Sequence, residues 1–115
     1  MGYERFTVVR VPFPFTDRAA VKNRPALVLS DAAAFNGPAA HSVMAMITSS
    51  TQAPWPLDCP VDDLPAAGLP APSLVRFKLF TLDHRLVRGP LGRLAAADAA
   101  RVDEALRSLL GFAGS

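Results

Sequence analysis

This 115-residue sequence contains one cysteine, one tryptophan, one tyrosine and two histidines. Cys59 has no second cysteine to pair with, which excludes an internal disulfide and suits a reducing compartment. No apolar run reaches the ~18 residues that a membrane-spanning helix needs, and the first residues lack the apolar core of a secretion signal. The sequence therefore predicts a soluble cytoplasmic protein without a membrane segment.

Charge is also sparse, at 19% of residues with a net charge of +2. Its distribution is uneven, because Asp83 is the only acid in a stretch that carries the basic residues Arg76, Lys78, Arg85, Arg88 and Arg93. Such a locally basic segment favours an anionic partner. The length fits one domain that spans residues 1–115.

Hydrophobic periodicity predicts short strands followed by one helix. Strands are predicted at residues 6–11, 26–29, 41–47, 55–61 and 74–82. A helical turn with Asp31 as its N-cap is expected at residues 31–38. In residues 96–110 apolar side chains recur every three to four positions, and Gly111 is placed to end an amphipathic helix. The pattern is typical of a mainly β fold (α+β), a curled antiparallel sheet or barrel covered by a C-terminal helix.

Arg24 stands where a polar loop meets an apolar strand. Pro12 and Pro14 are expected to end the first strand and to start a loop over residues 14–23. Pro25 favours an extended conformation at the preceding residue, so Arg24 should lie at the mouth of the strand. A guanidinium on a rigid rim suits phosphate or carboxylate recognition, although a solvated edge charge is the alternative.

Two later strands supply further polar groups. The third strand ends in the hydroxyl residues Thr48 and Ser49. In residues 74–82, Arg76 and Lys78 share one face, and the apolar residues between them point the other way. Trp55, framed by two prolines, can either stack on a nucleobase or close a hydrophobic gap.

Several blocks occur in a fixed order along the chain. They are residues 11–17 (VPFPFTD), 23–30 (NRPALVLS), 47–50 (ITSS), 75–76, 81–83, 91–94 and the terminal helix. In this order they resemble the MazF/PemK family of type II toxin-antitoxin ribonucleases. The resemblance implies a small SH3-like barrel of the CcdB/PemK type and a homodimer with a cognate antitoxin. It also implies sequence-specific cleavage of single-stranded mRNA, with no metal and no cofactor.

The resemblance assigns roles to individual residues. Arg24 matches the catalytic arginine of the family, Thr48 its catalytic threonine, and Arg76 an additional arginine that some members place on a later strand. The residues that we expect to bind RNA are Asp17, Arg18, Lys22, Ser49 and Lys78.

The sequence departs from the family at the general base. Where many members carry an acidic residue followed by glutamine, this chain has Phe-Lys-Leu-Phe at residues 77–80. An unperturbed lysine ionises near ~10.4, so Lys78 is expected to contact phosphate or to donate a proton. Asp17 is then a candidate base. Two alternative functions remain open: a catalytically weak or inactive relative that only binds RNA or its antitoxin, and a toxin of the same fold that targets DNA gyrase.

Overall fold

A six-stranded antiparallel sheet forms the centre of the computed structural model, which describes residues 3–13 and 22–112. Its strands are β1 (Thr7–Phe13), β2 (Lys22–Val28), β3 (His41–Ser49), β4 (Cys59–Pro60), β5 (Ser73–Asp83) and β6 (Gly89–Arg93). Across the sheet the order is β4-β5-β3-β2-β1-β6. The predicted fold class, mainly β with a C-terminal helix, is confirmed.

Helical segments connect the strands and end the described chain. The short ones are Ala32–Asn36, Gly37–Ala39, Leu64–Ala67 and His84–Leu86. Asp31 caps the first of them, as predicted, because its carboxylate accepts a hydrogen bond from the Ala34 N–H at 2.8 Å. The C-terminal helix, Ala96–Leu110, has the predicted bounds and ends at Gly111. None of the helices in the described ranges is long and apolar enough to cross a membrane.

The C-terminal helix covers one face of the sheet. Val102 of the helix is 1% exposed and belongs to a cluster with Val8, Leu27 and Val75 of the strands. Asp98, also on the helix, is 3% exposed and accepts hydrogen bonds from the backbone N–H groups of residues 62 and 63 at 3.1 and 3.0 Å. These bonds offset the cost of burying a carboxylate and join the first helical turn to the segment after β4.

The opposite face of the sheet carries a second buried cluster, and no long helix of the described ranges lies over it. Its members are Val9, Val11, Ala26, Val28, Met44 and Leu82. Partly buried side chains near the chain start and after β5 pack against it, including Tyr3 and Leu86. The strands are thus apolar on both faces at their centres, and polar side chains collect at their ends.

The helix Leu64–Ala67 packs against the edge strand β6 and thereby curls the sheet into a half-barrel. Two glycines permit this close approach. A Cβ at Gly92 would lie 2.4 Å from the Ala66 carbonyl oxygen, and one at Gly68 would lie 2.1 Å from that of Leu91. The segment that follows the edge strand β4 therefore packs against the opposite edge strand, β6.

Two predictions about the first strands were wrong. Pro12 does not end β1; it lies inside the strand, where β6 extends no further than the pair Arg10–Gly89 and no other described strand pairs with that side of β1. The strand β2 begins at Lys22 rather than at Ala26, because pairing with β1 continues to Phe13 opposite Lys22.

Two further differences concern the second half of the chain. Residues 55–61 were predicted as a strand, but only Cys59–Pro60 pairs with β5, because residues 55–58 form a turn. The strand β6 was not predicted, since Gly89, Pro90 and Gly92 are poor strand formers. It exists through its pairing with β1.

Candidate active site

A cleft of about 220 Å³ opens at one end of the sheet. Its lining residues are Phe13, Arg24, Met46, Ile47, Thr48, Gln52, Arg76 and Lys78. The part of the chain that the structure describes contributes three cations and no carboxylate to this lining. In the same ranges, no group of three or more His, Cys, Asp or Glu side chains is placed to hold a metal ion. The cleft is therefore basic, with polar and aromatic groups at hand for an anionic ligand.

The strand order brings Arg24 and Thr48 to the same cleft. Ala26 of β2 pairs with Met46 of β3 at the end of their ladder, and Arg24 and Thr48 each lie two residues beyond that pair. Arg24 pairs with Val11, whose side chain lies on the face away from the C-terminal helix. Because opposite residues of antiparallel strands project to one face, the cleft lies on that same face.

Arg24 and Thr48 are both available to a ligand. The Arg24 side chain is exposed and, within the described residues, has no hydrogen-bond or ion-pair partner; its guanidinium carbon lies 5.7 Å from the centroid of the Phe13 ring. The Thr48 hydroxyl likewise makes no hydrogen bond to a described residue. Both residues also line a neighbouring cleft of about 220 Å³ that includes Ser49 and Ser73. They thus lie on the ridge between two clefts.

Arg76 enters the cleft while bound to a carboxylate. Its Nε donates to Asp58 Oδ1 at 3.2 Å, and its Nη2 donates to Asp58 Oδ2 at 2.9 Å and to the Ala53 carbonyl oxygen at 2.6 Å. The Arg76 and Asp58 side chains are only 11% and 14% exposed. The hydrogen bonds from Arg76 lower the pKa of Asp58, and the same bonds raise the pKa of Arg76. Both groups therefore stay charged, and much of the donor capacity of Arg76 is already engaged.

Lys78 reaches the cleft through a bulge in β5. The β3–β5 register shifts between Ala45 and Met46, so that Phe77 and Lys78 are extra residues on β5. Phe77 is 6% exposed, whereas Lys78 is exposed and its Nζ lies 4.5 Å from the centroid of the Trp55 ring. The two basic side chains of β5 therefore stand side by side, as predicted, with Trp55 next to them.

The other predicted RNA-binding residues are distributed around this centre. Lys22 is exposed and pairs with Phe13, which lines the cleft. The hydroxyl of Ser49, in the second cleft, hydrogen-bonds the Thr51 hydroxyl at 2.8 Å. Asp17 and Arg18 lie outside the described residues.

Sequence reasoning missed three contributors to this site. Met46 and Gln52 line the cleft. Asp58 holds Arg76 from a position 18 residues away in the chain, and no local pattern links the two. The one available signal for Asp58 was its position in the sequence, two residues after the Trp55-Pro56 pair.

Known proteins resemble this chain in sequence and in fold. A probable endoribonuclease MazF from Mycolicibacterium smegmatis is 37% identical over 94 residues, which cover 81% of this chain and 84% of that protein. A MazE-MazF crystal structure from Deinococcus radiodurans has 30% identity and a TM-score of 0.72, with 96% of this chain and 98% of that chain covered. An endoribonuclease from a mycobacterial species shares the fold, with a TM-score of 0.76 at 21% identity over 100% of this chain and 97% of that chain. Residues 4–110 match the family described as PemK-like, MazF-like toxin of type II toxin-antitoxin system, and the chain belongs to that family.

Proposed function

We propose that this toxin is an endoribonuclease that cleaves single-stranded mRNA at specific sequences without a metal ion. The observation that carries the proposal is that Arg24 and Thr48 line the same basic cleft, with neither side chain hydrogen-bonded to a described residue. The 37% identical relative is named a probable endoribonuclease, which supports the same reaction.

The reaction that suits these groups is transfer of the phosphoryl group to the neighbouring 2′-oxygen. The 2′-oxygen loses its proton and attacks phosphorus, the bond from phosphorus to the 5′-oxygen breaks, and that oxygen takes up a proton. The products are a 2′,3′-cyclic phosphate and a free 5′-hydroxyl. Arg24 donates charge-assisted hydrogen bonds to the phosphoryl oxygens, whose negative charge grows in the transition state. The Thr48 hydroxyl binds a phosphoryl oxygen or orients the 2′-hydroxyl.

The remaining site residues bind RNA and move protons. Lys78 is an ammonium that contacts phosphate or protonates the leaving oxygen. Arg76 adds a second cation beside it, and we assign Arg76 to the catalytic residues on that ground. We assign Ser49, Lys22, Arg18 and Asp17 to contacts with the flanking RNA. Among these groups only Asp17 has the chemistry of a general base at neutral pH, and it is our candidate for that role.

We further propose that the toxin forms a homodimer. The last helical turn and its exit leave apolar side chains in solvent, with Leu109, Leu110 and Phe112 exposed at 40%, 56% and 58%. Exposed apolar groups so close together favour association. We also propose that residues 1–115 form one toxin domain, since the family match extends over residues 4–110.

The cognate antitoxin is the second proposed partner, and its site overlaps that of RNA. The solved relative with 30% identity is a MazE-MazF complex. An acidic segment of an antitoxin would pair with Arg24 and Lys78 and so exclude RNA. Displacement of labelled RNA by the antitoxin is the expected result; simultaneous tight binding of both would contradict it. We place this system in the cytoplasm, where mRNA is available and the free Cys59 stays reduced.

The experiment that tests the activity is incubation of the purified protein with a long single-stranded RNA in excess EDTA, followed by mapping of the cut ends. The variant Arg24→Ala is compared with Arg93→Ala, which removes an equal charge from a residue paired with Glu4 outside the cleft. Discrete cuts by the wild type and by Arg93→Ala, lost in Arg24→Ala, are expected. Uncut RNA that still binds in a salt-sensitive way would replace the proposal by the binding-only alternative.

A further inference from the structure

We infer that Trp55 is a base-stacking subsite of the cleft and that it selects for a purine next to the bound phosphate. The inference rests on the proposed function in one respect only, namely that the ligand of the cleft is single-stranded RNA. Its chemistry is the stacking of an unpaired base on an aromatic ring, which needs no cleavage of the strand.

Trp55 is an exposed ring beside the basic cleft rather than a core residue. It is 41% exposed and, among the described residues, belongs to neither hydrophobic cluster. The Lys78 Nζ lies 4.5 Å from its ring centroid, and the Arg76 guanidinium carbon lies at 6.0 Å. Both cations also line the cleft. The indole is therefore continuous with the surface that binds phosphate.

Hydrogen bonds order the backbone of the turn that carries Trp55. The Trp55 N–H donates to Asp58 Oδ2 at 3.0 Å, and the Asp58 N–H donates back to the Trp55 carbonyl oxygen at 3.2 Å. Inside this turn Pro56 has a restricted φ, and Leu57 takes φ 66°, a left-handed conformation that leucine disfavours. Such a conformation persists only where the surroundings impose it. Here the Asp58 carboxylate closes the turn by accepting the Trp55 N–H, and Arg76 in turn binds that carboxylate.

The pairing of an exposed indole with two cations matches the two parts of a nucleotide. The base stacks on the ring, and the phosphate lies against the ammonium of Lys78. Stacking of a base on an aromatic side chain is sequence-tolerant, with preferences that follow stacking strength. A purine offers the larger π surface, so a purine is favoured over uracil. Because the turn is already ordered, little conformational entropy is lost when the base binds.

The single tryptophan of the chain allows a direct test, since fluorescence excited at wavelengths beyond the absorption of Tyr3 reports on Trp55 alone. The probes are 2′-O-methyl oligo-A and oligo-U, which lack the nucleophile and stay intact, and an abasic oligonucleotide of equal length and charge. Stacking predicts quenching by oligo-A with a lower Kd than oligo-U, and none by the abasic strand. Equal quenching by the abasic strand would overturn the inference, because charge alone would then explain the signal.

Two variants give a second readout, by anisotropy of labelled oligo-A. Trp55→Ala should raise Kd by about 5- to 150-fold, the range that corresponds to the loss of one stacked base. Trp55→Phe retains an aromatic ring and should raise Kd by a smaller factor. An unchanged Kd in Trp55→Ala would overturn the inference but would not contradict the proposed ribonuclease activity. Absence of cutting by the wild type, with normal quenching by oligo-A, would instead contradict the proposed ribonuclease and leave the subsite standing.

Discussion

Asp58 and Arg76 form a bidentate ion pair that joins the Trp55 turn to β5. The Arg76 Nε lies 3.2 Å from Asp58 Oδ1, and the Arg76 Nη2 lies 2.9 Å from Asp58 Oδ2. An arginine whose donors are engaged in this way differs from Arg24, which makes no hydrogen bond or ion pair to a described residue. The two arginines of the cleft thus differ in how many hydrogen-bond donors they can offer to a ligand. Arg24 is open to a phosphate, and Arg76 also fixes the wall of the cleft.

The first prediction concerns the stability that this ion pair contributes. Asp58→Asn keeps the side-chain shape but leaves Arg76, at 11% exposure, without its charged partner. Removing one partner from a largely buried pair should lower the free energy of unfolding by about 1–3 kcal/mol. Urea denaturation followed by circular dichroism measures the change. Asp62→Asn is the matched control, because the Asp62 side chain is 75% exposed and its ion pair with Arg101 should matter by less than about 0.5 kcal/mol.

The second prediction is the pH dependence of the same pair. The hydrogen bonds from Arg76 hold the pKa of Asp58 below its ordinary value of 3.8, so the folded state binds the proton less readily than the unfolded chain. The stabilisation is therefore complete above about pH 5 and is lost as the pH falls through 3.8 and below. The difference in unfolding free energy between wild type and Asp58→Asn should stay constant from pH 5 to 7 and shrink below pH 4. A difference that grew on acidification would contradict this assignment.

The third prediction separates chemistry from folding at Arg24 and Thr48. Arg24→Ala should lower kcat by about 10²–10³-fold, the usual effect of removing one donor to a developing oxyanion. Thr48→Val, which keeps the shape and removes the hydroxyl, should lower kcat, whereas Thr48→Ser should retain most of it. Arg24 is exposed and Thr48 half-buried, so the melting temperatures should change little. Equal kcat in Thr48→Val and wild type would remove Thr48 from the mechanism.

The fourth prediction tests how the half-barrel closes. Gly92→Ala introduces a Cβ 2.4 Å from the Ala66 carbonyl oxygen, and the helix Leu64–Ala67 or β6 must shift to accommodate it. We expect a loss of about 1–3 kcal/mol in the free energy of unfolding. Gly111→Ala is the comparison, because a Cβ there meets nothing within 4 Å and only the φ of +78° opposes it. Its cost should be nearer ~1 kcal/mol. Equal losses in the two variants would show that the close approach of Gly92 is unimportant.

The fifth prediction concerns assembly. Leu110→Asp places a charge on the exposed apolar end of the C-terminal helix, where the leucine is 56% exposed and few contacts are lost. If that surface is covered by a second copy, light scattering at micromolar concentration should give the mass of a dimer for the wild type and of a monomer for the variant. Ser108→Asp adds the same charge at a residue that lines a different groove, beside β4. A dimer retained by Leu110→Asp would locate the interface elsewhere.

The amino-acid sequence alone determined the features that depend on neighbouring residues. The helix Ala96–Leu110 followed from its three-to-four-residue period and from Gly111, since both act within a few residues of the chain. The position of Arg24 at the start of an aliphatic run, and the hydroxyls after Ile47, were visible as local blocks. The resemblance carried by those blocks identified the family.

Only the tertiary structure decided how distant segments meet. The strand β6 exists because β1 offers it a pairing edge, although its own residues disfavour a strand. The bulge in β5 sets Lys78 beside Trp55, and the turn at residues 55–58 replaces the predicted strand because the Asp58 carboxylate accepts hydrogen bonds from both the Trp55 backbone N–H and Arg76. An ion pair between residues 18 apart has no periodicity in the chain. It forms because the sheet brings the two side chains together in a partly desolvated wall, where a charged group is stable only with its partner.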